Sequence, residues 1–378
     1  MSGYKAIAAL LSFVVIPTDL YGRATALDAM TPARIIECGY SPAEPIHWPQ
    51  VKLAQRPCDK HGVRHYVPKH KGLAFKILAA ESDVCFVPDS AYQLLDRLVG
   101  ETLAKVGPVA LEGDTDARTR EVIAIGRATA DVLIAHGFAL NIPTNTLADA
   151  LTLRNDPQTG DWYSIDCDTA SMIVLTVAEA LRVPASLVEM TYAGDGKQHN
   201  FVRFHIDDQH SVNWDTNGQE QCRLSEPDLP PYQGIDMTTD ATMGYVYRLL
   251  GQLAQELGNY PLAAREFQRA TDLYPSSPSA YNSLAWLIST REFTHGAGTF
   301  DAVQLATKAT GIQPNSDNYD TLACAFALAG DYEQARQAEG EAISRSKTPE
   351  QKAEFANRLS LFTTKPYRNC IGVAWTDN

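Results

Sequence analysis

Three side chains, Cys167, His199 and Asp215, have the types and the order that acyl transfer through sulfur requires. In that chemistry a thiolate attacks, an imidazole takes and returns the proton, and a carboxylate fixes the imidazole tautomer and steadies its charged form. Cys167 stands where Trp162-Tyr163-Ser164-Ile165-Asp166 hands over to a helical pattern, and Arg182 and Pro184 end that helix. Asp166 or Ser164 can cap it. A thiol in the first turn feels the positive end of the backbone dipole, which favours the thiolate. The flanking Asp166 and Asp168 oppose this, so the helix alone does not activate the sulfur and a nearby imidazolium is required.

The elements that must supply it are two short β-like runs, Phe201 to Ile206 and Ser211 to Trp214, around a turn at Asp207-Asp208. Pairing Ile206 with Gln209 sets Asp215 opposite Asn200 and His199 opposite Thr216, and a loop one residue longer shifts this by one position. Either register brings carboxylate and ring together at the open end of the hairpin, since cross-strand neighbours lie ~5 Å apart. The competing reading is a structural or disulfide-bonded Cys167 beside an ordinary His199–Asp215 pair.

The order and spacing of these segments resemble the transglutaminase-like branch of the papain-like cysteine superfamily. The cysteine opens a helix that exits through Val183-Pro184-Ala185, the histidine follows 32 positions on, and the aspartate 16 after that. The resemblance covers about residues 145–220. It implies Cys167 as nucleophile, His199 as general base and then acid, and Asp215 as the orienting group. Trp162 or Tyr163, with the Cys167 backbone N–H, would then form the oxyanion site. One departure is that Asn200 and Phe201 follow His199, where many members place an aromatic after a small residue.

The C-terminal third carries a different signal, a period. Tyr247, Leu250, Gly251, Gly258, Tyr260, Ala263, Phe267, Ala270 and Pro275 fall on the signature positions of a 34-residue repeat. A second unit starts near Pro278, with about five extra residues around Thr294–Thr299, and a third runs from Ser316. Residues 349–363 follow as a terminal helix. This pattern resembles the tetratricopeptide family, and it implies small residues where paired helices approach (Gly251, Ala263, Ala270) and large ones filling between them (Tyr247, Leu250, Phe267). The expected fold class is an α+β transglutaminase-like domain followed by an all-α solenoid of such repeats, as in bacterial proteins that join the two.

The expected organisation is a signal peptide over 1–26, an irregular and helical segment over 27–110, the transglutaminase-like domain over 111–235, the repeat array over 243–363, and a tail over 364–378. Helices are expected at 90–106, 117–136 and about 166–182, strands only after residue 200, and a loop-rich boundary at 217–240. Lys5, the apolar run Ala6 to Ile16, Pro17 and the tripeptide Ala24-Thr25-Ala26 make an export signal cleaved after Ala26, and hence a periplasmic or secreted protein. The competing reading there is a buried first helix of a cytosolic domain. Of seven cysteines, Cys38, Cys58, Cys85, Cys222, Cys324 and Cys370 could form up to three bridges, leaving Cys167 over. The Ala-rich helix around Cys324 also suits a buried unpaired thiol.

Charge narrows the partners. Lys and Arg number 32 against 45 Asp and Glu, and a net charge of −13 argues against nucleic acid as partner. No run approaches the ~20 apolar residues of a membrane span. The partner expected is a protein or peptide held by the repeats. No cofactor or metal is expected: Cys58, His61, His65 and His70 have ligand-like spacing but no paired Cys-x-x-Cys. Glu112, Asp114 and Asp116 read as a solvated loop entering a helix. The function these features add up to is an exported cysteine-dependent acyl-transfer enzyme acting on an amide through a thioester. The alternative is a non-catalytic adaptor built from the same two parts.

Overall fold

The computed structural model describes residues 62, 64–140, 146–156, 160–191, 198–214, 220–224, 234–290, 301–364 and 370. The export signal, Cys38, Cys58, His61, Asp215 and Thr294–Thr299 lie outside these residues. The described part is a mixed body of helices and small sheets, followed by an all-helical stretch.

The mixed body is organised around one helix. Helices α1 (Leu73–Glu81), α2 (Asp89–Val106) and α3 (Thr115–Ala135) pack on α5 (Cys167–Leu181), whose residues Thr169 to Ala178 are all buried. Buried helix ends need partners for their orphan N–H groups. Gly72 offers none at the start of α1, so α5 supplies them: Leu73 N–H donates to Glu179 Oε2 (2.9 Å) and Ala74 N–H to Thr176 Oγ1 (2.8 Å). In the same way the Glu81 carboxylate accepts from the N–H groups of Leu147 and Ala148 at the start of the short α4 (Leu147–Ala150). Burial pushes Glu81 up to about 8 despite those bonds. Asp114 caps α3 through Ala117 N–H (2.8 Å), the use of an acidic residue that a helix N-terminus rewards.

Strands appear earlier than expected. β1 (Phe138–Leu140) pairs parallel with β3 (Gly160–Ile165), and β2 (Arg154–Asp156) pairs antiparallel with β3. A five-stranded antiparallel sheet follows, in the order β7-β6-β5-β4-β8: β4 Ala185–Thr191, β5 Gln198–His205, β6 His210–Trp214, β7 Glu220–Leu224 and β8 Ile235–Met237. Segment 217–240, expected as loop, thus supplies both edge strands of the sheet. The register of β5 on β6 pairs Val202 with Trp214 and Phe204 with Val212. That is one residue away from the pairing of Ile206 with Gln209, because the turn holds one more residue: Ile206 N–H bonds His210 O.

Strand side chains alternate between faces. Leu187, Val202, Phe204, Val212, Trp214 and Met237 share one face and join the core. Phe201 and Arg203 share the other, where the Arg203 guanidinium lies 5.5 Å from the Phe201 ring and Arg203 Nε donates to Asn213 Oδ1 (2.9 Å).

The helical stretch comprises α6 (Thr239–Glu256), α7 (Tyr260–Leu273), α8 (Pro278–Ser289), α9 (Ala302–Ile312), α10 (Ser316–Ala329), α11 (Tyr332–Arg345) and α12 (Pro349–Thr364). Consecutive helices pack on one another, and α8 and α10 start at the predicted unit boundaries. Gly251 does what a small residue was expected to do: a Cβ there would meet the Phe267 ring at 2.5 Å, so only glycine lets α6 and α7 approach this closely. Cys324, in α10, is not an unpaired thiol but is disulfide-bonded to Cys370, and Cys85 is disulfide-bonded too. Among the described residues no helix is long and apolar enough to cross a membrane.

Candidate functional site

Asp166 is the residue that caps α5. Its carboxylate accepts from Thr169 N–H (2.9 Å), while Thr169 Oγ1 accepts from Asp166 N–H (3.0 Å), a reciprocal capping box. Cys167 therefore occupies the first helical position of a helix whose remaining length is locked in the core. Removing the cap with Asp166→Ala should cost about 1–2 kcal/mol in urea unfolding, and it should loosen the thiol's position.

The sulfur is in no disulfide, and the residue is partly exposed. It donates weakly to Asp168 Oδ1 (3.6 Å). The same oxygen accepts from Asn200 Nδ2 at 2.6 Å, and Asp168 Oδ2 accepts from the Tyr245 hydroxyl at 2.7 Å. Because a carboxylate offers only acceptors, the Asn200 amide nitrogen must face Asp168, and its Oδ1 points elsewhere. That Oδ1 is buried without a hydrogen-bond partner.

Two further groups complete the cluster. Glu189, cross-strand neighbour of Asn200, accepts from Tyr274 OH at 3.5 Å. Burial raises the Glu189 carboxyl, Arg248 opposes that, and Asp168 adds to it. Arg248 stacks 5.1 Å from the Tyr245 ring. Burial, and then the Asp168 charge, push Tyr245 well above the usual phenol range, so its hydroxyl stays a donor. Tyr274 is pushed up to about 12 by burial and by Glu189. Tyr245, Arg248 and Tyr274 all come from α6 and the end of α7, so the first helix pair is bonded into the mixed body at this cluster.

The contact between Asn200 and Asp168 brings the start of α5 to the start of β5, where His199 is the second residue, buried and paired with Met190. On that strand Asn200, Val202 and Phe204 face α5, and alternation turns His199 to the side of Phe201 and Arg203. His199 thus lies on the face of β5 opposite the one that Asn200 turns to Asp168, which runs against the imidazole expected directly beside Cys167. Asp215 is beyond the last described pair, Val202 with Trp214. Trp162 and Tyr163 lie in β3, and Tyr163 stacks on Phe138 at 4.9 Å. The sequence reading missed Asn200 and Tyr245. Tyr245 is one of the buried residues of α6, and nothing local tied it to residue 168.

The remaining candidates have ordinary roles. His70 Nδ1 bonds Asp96 (2.9 Å), and His65 N–H bonds Asp89. His205 Nε2 meets Ser186 Oγ (3.0 Å), and His210 Nδ1 meets Asp207 (2.8 Å). Among the described residues no group of His, Cys, Asp and Glu could hold a metal. A polar cleft of about 660 Å³ crosses the alternate helices α6, α8, α10 and α12, lined among others by Gln252, Asn282, Trp286, Asp320 and Gln351. It is separate from Cys167. No protein-family model matches the chain, and a comparison with curated proteins finds no relative.

Proposed function

We propose that this chain is an exported cysteine-dependent acyl-transfer enzyme of the transglutaminase-like branch, with tetratricopeptide repeats that hold a protein partner. The observation that carries this reading is the 2.6 Å bond from Asn200 to Asp168, which joins the start of the cysteine helix to the start of the histidine strand. A partly exposed thiol outside any disulfide, at the first position of a capped helix, is the right nucleophile. The bonds at Cys324–Cys370 and Cys85 fit an oxidising compartment.

In the proposed cycle the Cys167 sulfur forms a bond to an amide carbonyl carbon, and His199 takes the thiol proton and returns it to the departing amine. The thioester is then cleaved by water or by a second amine, which regenerates the thiol. Asp215 would orient His199. The cleft across alternate helices would take an extended segment of the partner.

A second reading is a non-catalytic binding protein. It is favoured by the Asp168 carboxylate beside the sulfur, which disfavours a thiolate, and by the strand alternation at His199. The variants separate the two. With acyl-amide and p-nitrophenyl ester probes, Cys167→Ala should abolish turnover, a loss of roughly 10³-fold or more, and His199→Ala should do nearly as much. A wild-type chain without turnover on either probe, with partner binding unchanged in Cys167→Ala, leaves only the adaptor.

A further inference from the structure

Asp168 accepts from the thiol at 3.6 Å, and its two oxygens are held from two different elements. Asn200 of β5 donates to Oδ1 and Tyr245 of α6 donates to Oδ2. The acidic and basic groups around this turn are Asp166 and Asp168 of α5, Glu189 of β4, His199 of β5, and Arg248 of α6 beside Tyr245. Asp166 is occupied by Thr169. Asp168 therefore decides the field at the sulfur, and what decides the charge Asp168 presents is the pair of donors it receives. A hydrogen bond from a buried neutral donor draws carboxylate charge towards itself, away from the thiol.

We propose that Tyr245, a residue of the first repeat helix, is a positioning residue for the Cys167 site: by holding and partly neutralising Asp168 it sets how readily the thiol ionises. The helical stretch would then be a working part of the site and not a separate appendage. The inference rests on the reading of Cys167 as nucleophile, yet its geometry requires only a titrating thiol.

The test measures the rate of Cys167 alkylation by iodoacetamide against pH, read by mass spectrometry of the peptide that carries it, in the full chain with its disulfides intact. Tyr245→Phe keeps the ring and removes only the hydroxyl. It should move the midpoint up by about one pH unit, which is about tenfold slower modification at a fixed pH below it. Asp168→Asn should move the midpoint down, by about one unit or more. Tyr247→Phe, on the same helix with its ring under Arg269, should leave it where it is.

A midpoint that stays put in Tyr245→Phe while Asp168→Asn shifts it would overturn the role of Tyr245, and no shift in either would overturn the whole proposal. Should Tyr245→Phe unfold, judged by thermal melting, Asn200→Leu removes the other donor without adding a charge and should raise the midpoint. Because the readout is chemical modification, it separates this proposal from the enzymatic one. A wild-type chain without turnover but with shifted midpoints keeps this inference and loses the other.

Discussion

Gly126→Ala should destabilise the protein by about 1–3 kcal/mol, although alanine is the better helix former by about 1 kcal/mol. Gly126 lies in the middle of α3, and a Cβ there would meet the Trp214 ring at 2.3 Å. Trp214 is almost fully buried at the end of β6, so neither the ring nor the helix has room to withdraw. The control is Gly340 in α11, exposed, with nothing within 4 Å of an added Cβ. Gly340→Ala should stabilise by up to about 1 kcal/mol. Trp214→Ala alone should cost about 3–5 kcal/mol. In that background the cost of Gly126→Ala should vanish or change sign, as a double-mutant cycle in urea would read. Additive costs would mean that the glycine is there for another reason.

Arg358→Ala should be among the most damaging single changes in the helical stretch, about 3–5 kcal/mol, because it strands buried carboxylates without their cation. The Arg358 guanidinium, from α12, is ion-paired with Asp320 of α10 and with Glu354, and it lies 5.4 Å from the Trp286 ring. Beside Asp320 sits Glu339 of α11, fully buried, carboxyl against carboxyl. Burial, and then the Asp320 charge, raise Glu339 far above the usual carboxylate range, and burial raises Asp320 as well.

The pH consequence has a definite sign. The folded protein keeps a proton that the unfolded chain releases above the ordinary carboxylate range. Stability is therefore fully present below that range and is lost as pH rises towards the folded values, at about 1.4 kcal/mol per unit for each proton kept. Glu339→Gln should flatten this slope between roughly pH 5 and 8 and leave the part contributed by Glu81. Urea titrations across that interval would show it, and an unchanged slope would mean that Glu339 ionises normally.

Much of the architecture could be read from residue types and spacing because its cause was local. The helices at 89–106, 115–135 and 167–181 follow from periodic apolar residues, the last two with acidic caps at Asp114 and Asp166, and Gly251 against Phe267 follows from the spacing of small and large residues. What escaped was set by partners far along the chain. Helix α1 has no cap of its own, and its start is held by Glu179 and Thr176, about a hundred residues away. The strands β1, β2 and β8 have three residues each, too short to show alternation, and exist because a neighbour supplies their ladder. The hairpin takes the longer of the two turns its sequence allowed, because Asp207 accepts from the N–H groups of both Gln209 and His210. At the site the segments were legible, but the identity of the side chain facing α5 was not, since one step of register exchanges the faces.

The link between Cys324 and Cys370 closes a ring that contains α11 and α12 whole. Stacked helical arrays tend to unravel from a free end, each unit leaning only on the one before it. Here the last two helices cannot peel away without carrying α10 with them. Closing a ring of this length is worth about 4 kcal/mol of chain entropy. A chain pulled by its tail would thus pass the force to α10 at once, and breaking this one link would leave α11 and α12 free to fray.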